Sequence, residues 1–213
     1  MATLFLFRHG ETDLTHGRYC GSLDPPLNEK GRNQAERVAE FLRHQGIGAI
    51  YASPMLRAVQ TAEPSARGLG LEIRVLEALR EVSFGEWEGL TFAEARERYP
   101  DDWRSRDADP YFVPPPGGET YRELAARVLP AFYQLIERHR DDETIAVFAH
   151  KSVNRVLLTN VLKMPVAYYR RIELDPGALT IVRSLDAGLE VLAVNECCHL
   201  GLSAGDRARE LSA

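Results

Sequence analysis

The sequence predicts an α/β fold: a three-layer sandwich with a mainly parallel central sheet, helices on both faces and a small inserted lid segment. Three observations lead there. Short apolar runs at residues 3–7, 49–52 and 144–149 have the length and character of buried strands. Segments with helical spacing separate them, the alternation that produces parallel sheets. Charged residues stand directly after several of these runs, at the strand ends where such sheets bind ligands.

The elements follow in order. Residues 28–44 have helical spacing, with Ala35, Val38, Ala39 and Leu42 on one side, and Gly46 and Gly48 break the chain after them. After the second strand, Ser53 suits a helix N-cap and Pro54 the first helical position, so a helix is expected from there to about Arg67, ending near Gly68 and Gly70. Residues 71–75 read as a third strand. Residues 76–118 are less regular, with an aromatic, glycine-bearing stretch at 84–89, a helix expected at 92–99 and the proline-rich run Pro114-Pro115-Pro116-Gly117-Gly118. Residues 82–118 are read as an insertion over the active site, within one domain spanning 1–213. Helices are expected at 119–139 and 153–162, and final strands at 179–183 and 191–195. The tail from Ser203 is polar and reads as frayed.

Composition narrows the function. The 213 residues are 45% hydrophobic and 27% charged, as in soluble globular chains. No stretch is long and apolar enough to span a bilayer, and no basic leader precedes the first apolar run, so a cytoplasmic protein without a membrane partner is expected. A net charge of −5 argues against a nucleic-acid partner, which needs a basic face. Cys20, Cys197 and Cys198 are an odd count with no spaced ligand pattern; Cys197, Cys198 and His199 are mere neighbours, so neither disulfide nor metal site is expected.

The chemistry lies after the strands. Arg8-His9-Gly10-Glu11-Thr12 follows the first, Ser53-Pro54-Met55-Leu56-Arg57 the second, Glu81 comes after the third, and His150-Lys151-Ser152 follows residues 144–149. In a parallel sheet these clusters meet at one edge. An imidazole can attack phosphorus. Arginines and a second histidine can hold the non-bridging oxygens, and such positioning supplies most of phosphoryl-transfer catalysis. A carboxylic acid can protonate the departing oxygen and then act as base toward water. The set is complete without a metal or cofactor.

These residues resemble the histidine phosphatase superfamily, in its phosphoglycerate-mutase-like branch. The similarity runs from Arg8-His9-Gly10-Glu11-Thr12 through Gly21-Ser22-Leu23-Asp24-Pro25-Pro26-Leu27-Asn28-Glu29-Lys30-Gly31 with Gln34-Ala35, and Ala52-Ser53-Pro54-Met55-Leu56-Arg57-Ala58 with Gln60-Thr61-Ala62. It continues through Leu79-Arg80-Glu81, Phe84-Gly85-Glu86-Trp87-Glu88-Gly89, Pro116-Gly117-Gly118-Glu119-Thr120, Ala149-His150 and Asn195-Glu196-Cys197-Cys198-His199-Leu200. The resemblance implies that His9 is the nucleophile, that Arg8, Arg57 and His150 form the phosphate pocket, and that Glu81 is general acid and then base. It implies that Glu11 and Glu119 orient the pocket and that Gly21 brings backbone close to substrate.

Three departures stand out. Thr15 occupies a position where the family often has asparagine; its hydroxyl can still bond a phosphate oxygen. Lys151 follows His150 where glycine is usual; it can add a cation to the pocket or point to solvent, and the pocket is the favoured reading because lysine is a competent phosphate ligand. The long insertion of the bisphosphoglycerate-dependent mutases is not recognisable, which favours a phosphatase over a mutase, and the intact set Arg8, His9, Arg57, Glu81 and His150 argues against a non-catalytic binder. The expected partner is a small phosphorylated metabolite: by analogy a phosphosugar, a phosphoglycerate derivative, phosphoserine or the nucleotide-loop phosphate of cobalamin synthesis. Selectivity is expected from residues 82–118, including Trp87, Trp103, Tyr111 and Phe112, with Trp87 read chiefly as packing. A homodimer is the default for a soluble protein that assembles.

Overall fold

The computed structural model describes residues 1–139 and 142–202; the tail from Ser203 lies outside them. The chain runs β1 (Thr3–Arg8), α1 (Glu29–Leu42), β2 (Ile47–Ala52), α2 (Leu56–Leu69), β3 (Ile73–Val75), α3 (Phe92–Arg98), α4 (Pro100–Ala108), α5 (Tyr121–Arg138), β4 (Thr144–Ala149), α6 (Lys151–Val161), β5 (Leu179–Leu185) and β6 (Gly188–Glu196). The sheet order is β3-β2-β4-β1-β5-β6. The pairs β2–β3, β2–β4 and β1–β4 are parallel. At the other edge β5 runs antiparallel to β1 and to β6. Only Asp186 and Ala187 separate β5 from β6, and so short a link permits only a hairpin.

Alternation along the central strands makes the three layers. Leu4, Leu6, Tyr51, Ile145 and Val147 face a core shared with Leu124, Val128 and Phe132 of α5 and Val153 and Val156 of α6. Phe5, Phe7, Ile50, Ala146 and Phe148 face the opposite core, with Val38 and Leu42 of α1 and Ala62 and Ala66 of α2. A strand buried on both faces has no polar side to alternate with, hence the continuous apolar runs.

Three local readings change. Helix α2 begins at Leu56 with Met55 as its cap residue, not at Ser53-Pro54. The Ser53 hydroxyl is drawn instead to His150 Nε2 at 2.8 Å and accepts only a 3.3 Å bond from Met55 N–H. The third strand is shorter than expected, Ile73–Val75. A second helix, α4, opens at Pro100 directly after α3; its one large apolar residue, Trp103, gives no amphipathic stripe to read. Helices α3 and α5 each start with a capping box, Thr91 with Glu94 and Thr120 with Glu123.

The loop after β1 is wedged against the start of α1. Glu11 N–H donates to Gln34 Oε1 at 2.8 Å and Gly10 N–H to Thr61 Oγ1 at 2.9 Å. Gly31 backs onto this loop so closely that a Cβ there would lie 2.1 Å from the Glu11 carbonyl oxygen. Gly31→Ala is therefore expected to lower stability by about 1–3 kcal/mol, read from the urea midpoint, and to reduce any activity that depends on the placement of His9. An unchanged midpoint would show that the loop yields freely.

Candidate active site

The parallel strands deliver the expected residues to one edge. β1 ends in Arg8 and hands on to His9, whose N–H donates to the Ala149 carbonyl of β4 at 2.9 Å. One residue later comes His150, so the two imidazoles lie side by side with ring centroids 5.2 Å apart. Arg57 comes from the first turn of α2, and Glu81 from the segment after β3. Arg8, His9, Thr15, Gly21, Arg57, Glu81 and Lys151 all line one cavity of about 370 Å³. His150 is fully buried behind His9.

The two arginines are buried cations tied to backbone oxygens. Arg8 Nη1 donates to the Leu174 carbonyl at 2.8 Å. Arg57 donates from Nη1 to the Leu23 carbonyl at 2.7 Å and from Nη2 to the Gly21 carbonyl at 2.9 Å. The Asp24 carboxylate approaches Arg57 only to 3.6 Å. Arg8 Nε, Arg57 Nε and His150 Nδ1 are buried and unbonded within the protein. Buried donors are normally paired, and three such nitrogens on this cluster match an oxyanion that accepts from several sides. Gly21 takes part through its carbonyl, and its φ of +52° is a conformation that suits glycine.

Histidine 9 has a defined tautomer. Its Nδ1 lies 2.7 Å from the Gly10 carbonyl oxygen, which can only accept, so Nδ1 carries the proton and Nε2 keeps its lone pair. Burial, then the charges of Arg57 and Arg8, hold His9 well below the usual histidine value. His150 is held down in the same way, by burial first, then by Arg57, His9 and Arg8. A divided pair, His9 neutral and His150 charged, is what the chemistry suggests at first sight; in the protein both are pushed toward the neutral form. Burial also lowers Arg8, to about 10, against the opposing pull of Glu81.

Glu81 is fixed at the wall. Its Oε1 accepts from Val82 N–H at 2.9 Å and its Oε2 from Ser152 N–H in the first turn of α6 at 3.2 Å. Arg127 secures this segment from behind, donating to the carbonyls of Ala78, Arg80 and Glu81 while gripping both oxygens of Glu119 at 2.8 and 2.9 Å. Glu119 thus acts on Glu81 through Arg127. Glu11 accepts from Asn28 and pairs with Lys30 and His16, which ties the His9 loop to α1. Thr15 lines the cavity, with its hydroxyl accepting from Thr12 N–H at 2.7 Å. Lys151 also lines it, but its ammonium is paired with Glu173, which holds Arg155 as well.

Ser53 and Thr61 fall in segments that carry the resemblance, but nothing in the residue order says that Ser53 serves His150 or that Thr61 holds the Gly10 N–H. Arg127 reads as an ordinary helix residue. It stands eight residues after Glu119, which precedes the Thr120 cap and so lies outside α5.

The lowered histidines set a pH dependence of stability. In the unfolded chain each takes up a proton as pH falls through about 6.5; in the folded state His9 and His150 do so only further down. The unfolded state therefore binds more protons in that window, and stability falls as pH drops below about 6.5, by up to about 1.4 kcal/mol per pH unit for each histidine. Urea unfolding of the native chain and of the His9→Gln, His150→Gln double variant between pH 7.5 and 5.5 is expected to show a shallower pH slope for the variant. Equal slopes would mean that the imidazoles titrate normally.

Comparison with known proteins places this arrangement. A family model for the histidine phosphatase superfamily (branch 1) matches residues 4–197. Phosphoserine phosphatase 1 of Hydrogenobacter thermophilus is 30% identical over 202 residues, covering 94% of this chain and 95% of that protein. Bifunctional protein Rv2228c of Mycobacterium tuberculosis is 38% identical over 200 residues, covering 92% of this chain but 54% of that protein, so the chain spans about half the length of this relative. The solved structure of mycobacterial glucosyl-3-phosphoglycerate phosphatase Rv2419c with VO3 superposes with a TM-score of 0.81 at 31% identity, covering 91% of this chain and 98% of that one. With the family model matching nearly end to end and the His9 and His150 loops side by side at the strand ends, the chain belongs to the histidine phosphatase superfamily, branch 1.

Proposed function

We propose that the chain hydrolyses a phosphomonoester in two steps through a phosphohistidine on His9, with no metal required. The observation that carries this reading is the state of His9: Nδ1–H is committed to the Gly10 carbonyl, and Nε2 is left as a free base in a pocket that disfavours its protonation. A neutral imidazole is the competent nucleophile. Arg8, Arg57 and His150 supply the donors for the non-bridging oxygens, from the three nitrogens that the protein leaves unbonded. If the Ser53 hydroxyl donates to His150 Nε2, the proton of neutral His150 sits on Nδ1, one of those nitrogens.

In the first step Nε2 of His9 attacks phosphorus, the ester P–O bond breaks, and Glu81 gives its proton to the departing oxygen. In the second step Glu81, now a carboxylate, takes a proton from water; the water oxygen attacks phosphorus, the P–N bond breaks, and phosphate leaves. A bound phosphate dianion opposes the effect of Arg8 and Arg57 on the imidazoles, so His150 gains affinity for a second proton in the complex. Thr15 and the Gly21 backbone border the same space as further contacts to substrate. Lys151, held by Glu173, acts at the rim and not as a free phosphate ligand. The phosphatases among the relatives act, by name, on phosphoserine and on glucosyl-3-phosphoglycerate. Those alcohol halves differ, so kinship alone does not fix the substrate of this chain.

Phosphate release from a panel of phosphomonoesters in the presence of EDTA tests the reading. The native chain is expected to turn over at least one; His9→Ala is expected to lose about a thousandfold or more. Glu81→Gln is expected to lose about 10²- to 10⁴-fold on alkyl esters and far less on 4-nitrophenyl phosphate, whose leaving group needs no proton. Normal turnover by His9→Ala would sink the mechanism, and equal losses of Glu81→Gln on both ester types would remove its acid role.

A further inference from the structure

The cavity is larger than a phosphate needs, and its two ends differ. Away from Arg8, Arg57 and His9, the wall is aromatic: Tyr19, Phe84, Trp87, Trp103 and Tyr121 line it, with Arg106 among them. Three of these rings pack together, Tyr19 on Phe84 at 4.9 Å and on Trp87 at 5.3 Å. Arg106 comes from α4 and is 3% exposed. Its guanidinium lies 5.6 Å from the Phe84 ring centroid and 5.5 Å from that of Tyr121. Nη1 donates to the Val113 carbonyl at 3.0 Å, and Nη2 is buried with no partner. No carboxylate pairs with Arg106 among the described residues; the neighbouring Asp107 is paired with Arg170. Trp87, 1% exposed, has its Nε1–H buried and unpaired as well.

Two buried, unpaired donors on an aromatic wall are costly unless something accepts from them. The surrounding rings favour a flat unsaturated partner. A short chain bearing an ammonium group fits poorly: it leaves the rings uncovered and brings a cation toward Arg106 and Arg170.

We propose that this wall is the subsite for the alcohol half of the substrate, and that it selects a flat aromatic group carrying a hydrogen-bond acceptor oxygen, received by Arg106 Nη2 and Trp87 Nε1. The inference rests on the phosphatase reading for its substrate but is tested apart from turnover. Both tryptophans of the chain, Trp87 and Trp103, line the cavity, so binding can be followed by their fluorescence. The probes are phenylphosphonate and its 3- and 4-acetyl and 3- and 4-carboxy derivatives, none of which can be hydrolysed.

At least one acceptor-bearing ring is expected to bind about tenfold more tightly than phenylphosphonate, the increment of one hydrogen bond to a charged donor. Gain with the acetyl rings identifies a neutral acceptor, and gain with the carboxy rings alone an anionic one; either supports the subsite. Arg106→Gln is expected to reduce the advantage to less than about threefold, and Arg106→Lys to retain part of it. If Arg106→Gln does not fold, Trp87→Phe, which removes one donor and keeps a ring, is expected to lower the advantage, with Trp103 as the reporter. No derivative gaining more than about twofold, or an advantage unchanged in both variants, would overturn the proposal. Turnover of phenyl phosphate is measured beside it: tight binding of acceptor rings without turnover would remove the hydrolytic reading and leave the subsite standing.

Discussion

Arg8 and Arg57 are buried cations whose guanidinium hydrogens go to backbone carbonyls and not to carboxylates in hydrogen-bond contact. A buried charge whose carboxylate partner is absent or, as with Asp24 at 3.6 Å from Arg57, distant is expensive, and much of the architecture near the strand ends serves to keep these two in place. The loop at residues 21–24 offers its carbonyls to Arg57. Leu174 offers one to Arg8, and the next residue, Asp175, is fixed by reciprocal bonds with Asn195 at the end of β6. The antiparallel hairpin that departs from the parallel pattern thus supports the site. In the proposed reading the unpaired donors of Arg8, Arg57 and His150 are the ones that receive a phosphate oxyanion, which ties the cost of burying these charges to binding.

The same two charges act on the histidines. Burial and positive neighbours bias both imidazoles to the neutral form. For His9 this is the state that the proposed attack on phosphorus requires. For His150 the same two charges add to the effect of burial and of His9. The Glu81 segment is fixed by Arg127, which binds the carbonyls of Ala78, Arg80 and Glu81 together with the Glu119 carboxylate. Glu81 is thus held from two sides, its segment by Arg127 of α5 and its carboxylate by Ser152 N–H at the start of α6, next to His150.

Much of this was legible in the sequence. The strands of residues 3–7, 49–52 and 144–149 declare themselves as apolar runs because both faces of the sheet are covered, and the charged clusters after them meet as a parallel sheet requires. Four features were not legible. Ser53 has the composition of an N-cap, but a hydroxyl can serve either a helix or a neighbour, and only the fold brings His150 within 2.8 Å. Helix α4 has a polar sequence and no stripe. Arg106 is buried by the rings of Phe84 and Tyr121, which are distant in the chain. The common direction of the two histidine shifts depends on depth of burial, which residue order does not state.

The claim on which the rest turns is that phosphorus passes to Nε2 of His9. Mixing the protein with excess phosphomonoester, quenching in alkali within milliseconds and sequencing its peptides by mass spectrometry tests it directly. A phosphoryl group on the peptide holding His9, stable to base and lost in acid as a phosphoramidate is, is the expected result. A phosphoryl group on a different residue, or turnover with no adduct at any quench time in a variant slowed at Glu81, would contradict it.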